Sequence, residues 1–140
     1  MRKRIFCDFD GTITIEDVGN SIFAKYTNGI WKNAVEKWKN NEITSKECLE
    51  IECAATKVTQ DELKIFVDSH KIDPFFEKFA YYCKNNDIPL ILLSDGLDFY
   101  IDRILKKYKL EWLDFYSNNL NWENGKMVPF FPYYYFRFSY

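Results

Sequence analysis

The first apolar run, residues 4–9, reads as a buried strand that stops in two carboxylates, Asp8 and Asp10. From residue 17 onward the pattern changes period. Trp31, Ala34, Val35 and Trp38 recur at i, i+3, i+4 and i+7, one face of an amphipathic helix, and both tryptophans are expected in the core. Thr44 with Glu47, and Thr59 with Glu62, have the spacing of capping boxes ahead of further helices. Leu63, Phe66 and Val67 form the buried stripe of the last of these, and His70 just after it is expected to pack or to place a charge at the helix C-terminus rather than to act as a ligand. Residues 17–70 are therefore predicted to be a helical insertion of about four helices.

Asp73-Pro74 supplies an N-cap and a proline at the first helical position. Phe76, Phe79, Ala80 and Cys83 then predict a helix that ends near Asn85-Asn86. The run "PLILLSDG", residues 89–96, suits a parallel strand covered on both sides. A helix follows, with Leu97, Ile101, Ile104, Leu105 and Tyr108 facing inward. Asn124-Gly125, inside residues 115–129, predicts a tight hairpin. A helix between two apolar strands argues for an α/β domain with a right-handed parallel crossover. Ligands in such sheets bind at the carboxyl ends of the strands, where both Asp8/Asp10 and Ser94 fall.

The 140 residues suit one domain, and with 19% aromatic residues a core needs no covalent staples. The 19 basic and 21 acidic side chains include no basic block, so neither nucleic acid nor a membrane surface is an expected partner. Cys7, Cys48, Cys53 and Cys83 sit inside apolar patterns without the spacing of a zinc site. They read as reduced core cysteines of a cytoplasmic protein. Met-Arg-Lys-Arg leads directly into the first strand, so no leader or spanning segment is expected.

Residues i and i+2 of an extended segment share a face, so Asp8 and Asp10 reach toward one point. Two carboxylates there favour a divalent cation, and few protein oxygens suit Mg²⁺, which keeps several waters. One carboxylate can act as a nucleophile on phosphorus while the other moves a proton. Gly11 allows a sharp turn whose amides, with Thr12, could receive phosphate oxygens. Ser94, followed by Asp95-Gly96 and a helix start, offers a hydroxyl and backbone amides to the same phosphate. The bland alternatives are an acidic turn that closes a strand and a serine that caps a helix.

"DFDGTIT" followed, after a helical insertion, by "ILLSDGLDFYI" resembles the haloacid-dehalogenase-like superfamily of phosphatases. The likeness is to its phosphoserine-phosphatase-type branch, and it extends to the phosphatases of methionine salvage that act on 2-hydroxy-3-keto-5-methylthiopentenyl-1-phosphate. It runs from about Ile5 to Pro132. The resemblance implies a Rossmann-like parallel sheet, residues 1–16 and 72–140, with a helical cap inserted after the first strand, residues 17–71. It implies Asp8 as nucleophile, Asp10 as general acid and base, and Ser94 on the transferring phosphoryl group. Mg²⁺ would be held by the Asp8 carboxylate and the Asp10 backbone carbonyl. Glu16 and Asp17 would lie at the cap hinge, near a small phosphorylated metabolite as substrate.

Two further motifs of that family, a lysine near the phosphoryl group and a later Gly-Asp with acidic neighbours, have no counterpart here. Lys126 follows the hairpin glycine and reads as a solvated lysine. Eight of the eleven residues 130–140 are aromatic, and the likeness dissolves after Tyr134. The expectation is a shortened or frame-shifted member with weakened activity. A rival expectation has the aromatic tail acting as a replacement strand or a self-association surface. Two functional alternatives accompany the phosphatase: a non-catalytic remnant that binds phosphate or metal, and a domain phosphorylated by a partner.

Overall fold

A computed structural model describes residues 3–134 of the chain. Strand β1 (Ile5–Cys7) leads through a turn into four helices, α1 (Val18–Tyr26), α2 (Ile30–Lys39), α3 (Ser45–Ala55) and α4 (Gln60–Asp68). The chain then continues as α5 (Pro74–Asn85), β2 (Leu90–Leu97), α6 (Asp98–Lys107), β3 (Asp114–Glu123) and β4 (Lys126–Phe130). The sheet order is β1-β2-β3-β4, with the first three strands parallel and β4 antiparallel to β3. This is the predicted α/β architecture.

Local chemistry accounts for most element ends. Thr44 and Glu47 form a complete capping box at α3, whereas Thr59 at α4 only accepts the Glu62 N–H. Asp73 accepts the Phe75 N–H ahead of α5, with Pro74 at its first position. Asn124 and Gly125 have φ of 51° and 75°, the left-handed pair that a two-residue hairpin turn requires.

Because β1, β2 and β3 follow one another in sequence and in space, right-handed crossovers put α5 and α6 on the same face of the sheet. That face is closed by Ala80, Cys83, Leu90, Leu92, Ile101 and Ile104, all buried. The other face is only partly covered among the described residues, with the Tyr133 ring edge-on to Tyr116. Phe6 on β1 is 59% exposed, Leu93 on β2 is 44% exposed, and Tyr116, in register with Leu93, is 48% exposed. Two expectations are corrected here: β1 is a three-residue edge strand rather than a fully buried one, and β2 is covered on one side only. Phe79 likewise sits at the margin of the α5 stripe, 38% exposed.

The four-helix segment leaves and rejoins the sheet through one narrow crossing. Ile15 N donates to Lys71 O at 3.0 Å, Asp73 N donates to Ile13 O at 2.8 Å, and Thr14 pairs with Ile72 between them. On its far side α4 is tied to α6 by Arg103, whose Nε and Nη2 donate to the two Asp68 oxygens at 2.7 and 2.8 Å. His70 is buried with its ring edge-on to Phe66, and Nδ1 lies 3.1 Å from Phe66 O, a packing role as expected. All four cysteines are free thiols. Among the described residues no helix is long and apolar enough to cross a membrane. Past β4 the chain turns, with Tyr134 N donating to Phe131 O at 3.3 Å, and no further strand follows within the described residues. Residues 135–140, which carry four of the eight aromatic side chains of the expected self-association surface, lie outside them.

Candidate active site

The turn after β1 is wound around the carbonyl of Phe9, which accepts N–H groups from Thr12, Ile13 and Thr14 at 3.2, 2.9 and 3.2 Å. The Phe9 ring is fully buried, so its neighbours Asp8 and Asp10 project the other way, into a cavity between the sheet and the helices. Asp8 Oδ1 accepts the Phe9 N–H at 2.8 Å, which fixes the carboxylate at the cavity mouth. Asp10 Oδ1 accepts from Val18 and Gly19 N–H at 2.9 and 3.3 Å, at the N-terminus of α1. Its Oδ2 accepts the Tyr100 hydroxyl at 2.6 Å. Burial pushes the Asp10 carboxyl up to about 6, against the lowering by the Tyr100 hydrogen bond; the Asp17 charge adds to the rise, and the Gly19 and Val18 amides oppose it. Burial likewise carries the Tyr100 phenol well above its usual range, with the Asp10 charge adding to it.

From the carboxyl end of β2, Ser94, Asp95 and Gly96 line the same cavity. Ser94 Oγ accepts the Gly96 N–H at 2.9 Å, which leaves the hydroxyl proton free to donate. The loop is held to β3 by Asn118 Nδ2 donating to Asp95 O at 2.9 Å, and by Leu120 N donating to Asp98 Oδ1 at 2.9 Å. At Gly96 a Cβ would lie 1.8 Å from the Tyr100 hydroxyl oxygen and 2.7 Å from Asp10 Oδ2. Only glycine permits the Tyr100–Asp10 bond there.

The cavity has a main lobe of about 620 Å³ under α2 and α3 and a side lobe of about 430 Å³ toward Tyr116, Phe131 and Tyr134. The two lobes share Asp8, Ser45, Leu49, Ser94 and Asp95. Of the predicted site residues, Asp8, Asp10, Asp17, Ser94, Asp95 and Gly96 are brought together on it. Gly11 and Thr12 are not: the Gly11 N–H is bonded to Thr14 Oγ1 at 3.0 Å and that of Thr12 to Phe9, so neither amide faces the cavity. Glu16 lies in a separate surface hollow with His70 and Lys71, while Asp17 caps α1 by accepting the Asn20 N–H at 2.9 Å. Lys126 is exposed at the hairpin and lines neither lobe.

Trp38 requires a correction. Trp31 is half-buried and packs against the core as expected, whereas Trp38 is 45% exposed, and both line the main lobe. Helical periodicity identifies a shared face but not whether that face meets other side chains or a void. Tyr100 and Glu52 were missed by the sequence reading. Each is a polar residue inside an apolar helical stripe, where an internal partner or a cavity has to be found for it, and that was the available signal.

The fit of a divalent cation can be judged from the donors present. Asp8 offers a carboxylate at the cavity mouth, and the Asp10 carbonyl accepts no hydrogen bond among the described residues. Two oxygens of this kind suit Mg²⁺, which keeps most of its water shell. Among the described residues no group of three His, Cys, Asp or Glu side chains is arranged to hold a metal. The site fits a weakly held, largely hydrated ion rather than a caged one.

The fold is that of the haloacid-dehalogenase-like hydrolases. A hydrolase of that family from Salmonella enterica serovar Typhi superposes with a TM-score of 0.76 at 18% identity, over 93% of this chain and 45% of that one. A phosphoserine phosphatase captured as an analogue of its phospho-aspartyl intermediate superposes with a TM-score of 0.71 at 18% identity, over 90% of this chain and 60% of that one. In sequence, the chain is 28% identical over 130 residues to the 2-hydroxy-3-keto-5-methylthiopentenyl-1-phosphate phosphatase of Brevibacillus brevis, covering 91% of this chain and 59% of that protein. The chain spans about half the length of the curated relatives it matches. No family model matches it. The resemblance to haloacid-dehalogenase-like phosphatases thus holds in sequence and in fold.

Proposed function

We propose that the chain is a phosphomonoester phosphatase acting on a small phosphorylated metabolite through an aspartyl-phosphate on Asp8. The observation that carries this reading is the convergence of Asp8, Asp10 and Ser94 on one cavity from the carboxyl ends of two adjacent parallel strands. Asp8 attacks phosphorus and the ester P–O bond breaks, while the Asp10 carboxyl gives its proton to the departing alkoxide. Asp10, now ionised, takes a proton from water as the water oxygen attacks phosphorus and the bond to Asp8 breaks, releasing phosphate. A carboxyl pushed up to about 6 is suited to both proton transfers near neutral pH. The Ser94 hydroxyl donates to a phosphoryl oxygen. Mg²⁺ would be held by the Asp8 carboxylate and the Asp10 carbonyl, and it would supply charge neutralisation at the phosphoryl group. The helices of residues 17–71 would serve as the cap over the site, and four free thiols suit the reducing cytoplasm.

The test is turnover of an aryl phosphate in the presence of Mg²⁺. Asp8→Asn should lower it by at least about a thousandfold, because the nucleophile is lost. Retained turnover would overturn the assignment. A second reading, binding of phosphate or metal without turnover, is favoured by the sparse set of metal donors among the described residues. Saturable beryllofluoride binding with Mg²⁺, in the absence of any turnover, would select it.

A further inference from the structure

Above the phosphoryl end of the cavity lies an acid that this chemistry does not use. Ser45, Cys48, Leu49 and Glu52 recur at i, i+3, i+4 and i+7 of α3, and that stripe faces the main lobe. Glu52 is 7% exposed, and the hydrogen bond to its carboxyl comes from Cys48 Sγ at 3.4 Å. A thiol is a weak donor, and a carboxylate can accept about four hydrogen bonds. Burial pushes the Glu52 carboxyl up to about 7, with the Cys48 bond opposing the rise and the Asp17 charge adding to it. Facing it, Trp31, Val35 and Trp38 recur along α2 as an apolar wall. Lys39 is the one cation among the described residues lining this lobe, and no arginine lines it.

We propose that this upper part of the cavity selects the leaving group of the phosphomonoester. It takes an alcohol with an apolar body held by Trp31 and Trp38 and a hydroxyl or ammonium group aimed at Glu52, and it turns away leaving groups that carry a carboxylate. The proposal rests on the reading of Asp8, Asp10 and Ser94 as the phosphoryl site. A donor aimed at Glu52 completes a buried carboxyl that a thiol leaves under-satisfied. An anion in its place would meet Glu52 and Asp17 with no guanidinium fork to receive it. The indole faces add apolar area and attract a cation.

O-Phosphoethanolamine and O-phosphoserine differ by one carboxylate, so they isolate this selection. Their binding to the full chain with Mg²⁺ can be followed by tryptophan fluorescence, with inorganic phosphate as the reference ligand. Phosphoethanolamine should bind at least about tenfold more tightly than phosphoserine, and Glu52→Gln should bring the ratio to about one. Equal binding to the unaltered chain, or a ratio that survives in Glu52→Gln, would overturn the selection while phosphate binding kept the phosphoryl site standing. Failure of inorganic phosphate to bind would overturn both together. Trp38→Ala, at a solvent-facing position, gives an independent reading. It should weaken butyl phosphate about fivefold relative to inorganic phosphate, through lost apolar contact. An unchanged ratio would remove the apolar wall from the proposal.

Discussion

On the floor of the cavity each acidic or hydroxyl group is held by the protein itself, whereas Glu52, the buried acid of the helical wall, is met by a thiol. Asp10 receives three hydrogen bonds, Asp8 is held by the Phe9 amide, and Ser94 accepts the Gly96 N–H. On α2 and α3 the lining includes two tryptophans, Val35, Leu49, Lys39, Ser45 and a glutamate that accepts from the Cys48 thiol. Groups that must sit at fixed angles to phosphorus benefit from being held before substrate arrives. Groups that recognise the rest of a molecule need unspent surface. On the proposed function, the difference separates a part of the site that reacts from a part that chooses.

The sharpest way to break the floor is Gly96→Ala. Its methyl would force Tyr100 away from Asp10, and the loss should be about 3 kcal/mol in chemical denaturation, combining overpacking with a broken buried hydrogen bond. Trp38→Ala on the wall should change stability by less than about 0.5 kcal/mol, so equal losses at the two positions would erase the contrast.

The wall carries a pH signature next in size. The Glu52 carboxyl is raised to about 7, so between about pH 4.5 and 7 the unfolded chain releases this proton first and stability falls as pH rises. Asp10, raised to about 6, contributes a fall of the same sign that begins and ends lower. Glu52→Gln removes the upper part of that fall and should be more stable than the parent at pH 8 by on the order of 2 kcal/mol, with little difference at pH 4. Identical pH profiles for the two chains would refute this.

Tyr100→Phe acts on the floor again. It strips Asp10 Oδ2 of its donor at a cost of about 1 kcal/mol and moves the Asp10 titration further upward, because the lost bond favoured the ionised form. An NMR titration of the carboxyl would show that direction or disprove it. Least of all, Arg103→Ala should cost about 0.5 kcal/mol, since the Arg103–Asp68 pair joining α6 to α4 is more than a third exposed on both sides. A loss several times larger would mean that floor and walls depend on each other more than their contacts indicate.

What the sequence disclosed follows the same division. The placement of Asp8 and Asp10 on one side of the chain just past β1 was legible in an i, i+2 spacing, and the Asn124-Gly125 turn in backbone angles few residue pairs accept. These are local constraints, and they survive folding unchanged. The Gly11 and Thr12 amides were misjudged because their partners, Thr14 Oγ1 and Phe9 O, are set by how the turn closes. Trp38 was misjudged because period alone cannot distinguish packed from hollow. The one-sided burial of β2 depended on strand order, which a run of apolar residues does not encode.

The carboxyl of Asp10 does two jobs at once. It is also the anchor for the first amides of α1, where the chain sets out into the helical layer. In the proposed reaction, each proton that oxygen pair trades would change the grip on the helix, stronger when charged and slacker when neutral. On that mechanism, acid–base events at the strand end would reach the helical layer directly, through the Val18 and Gly19 amides.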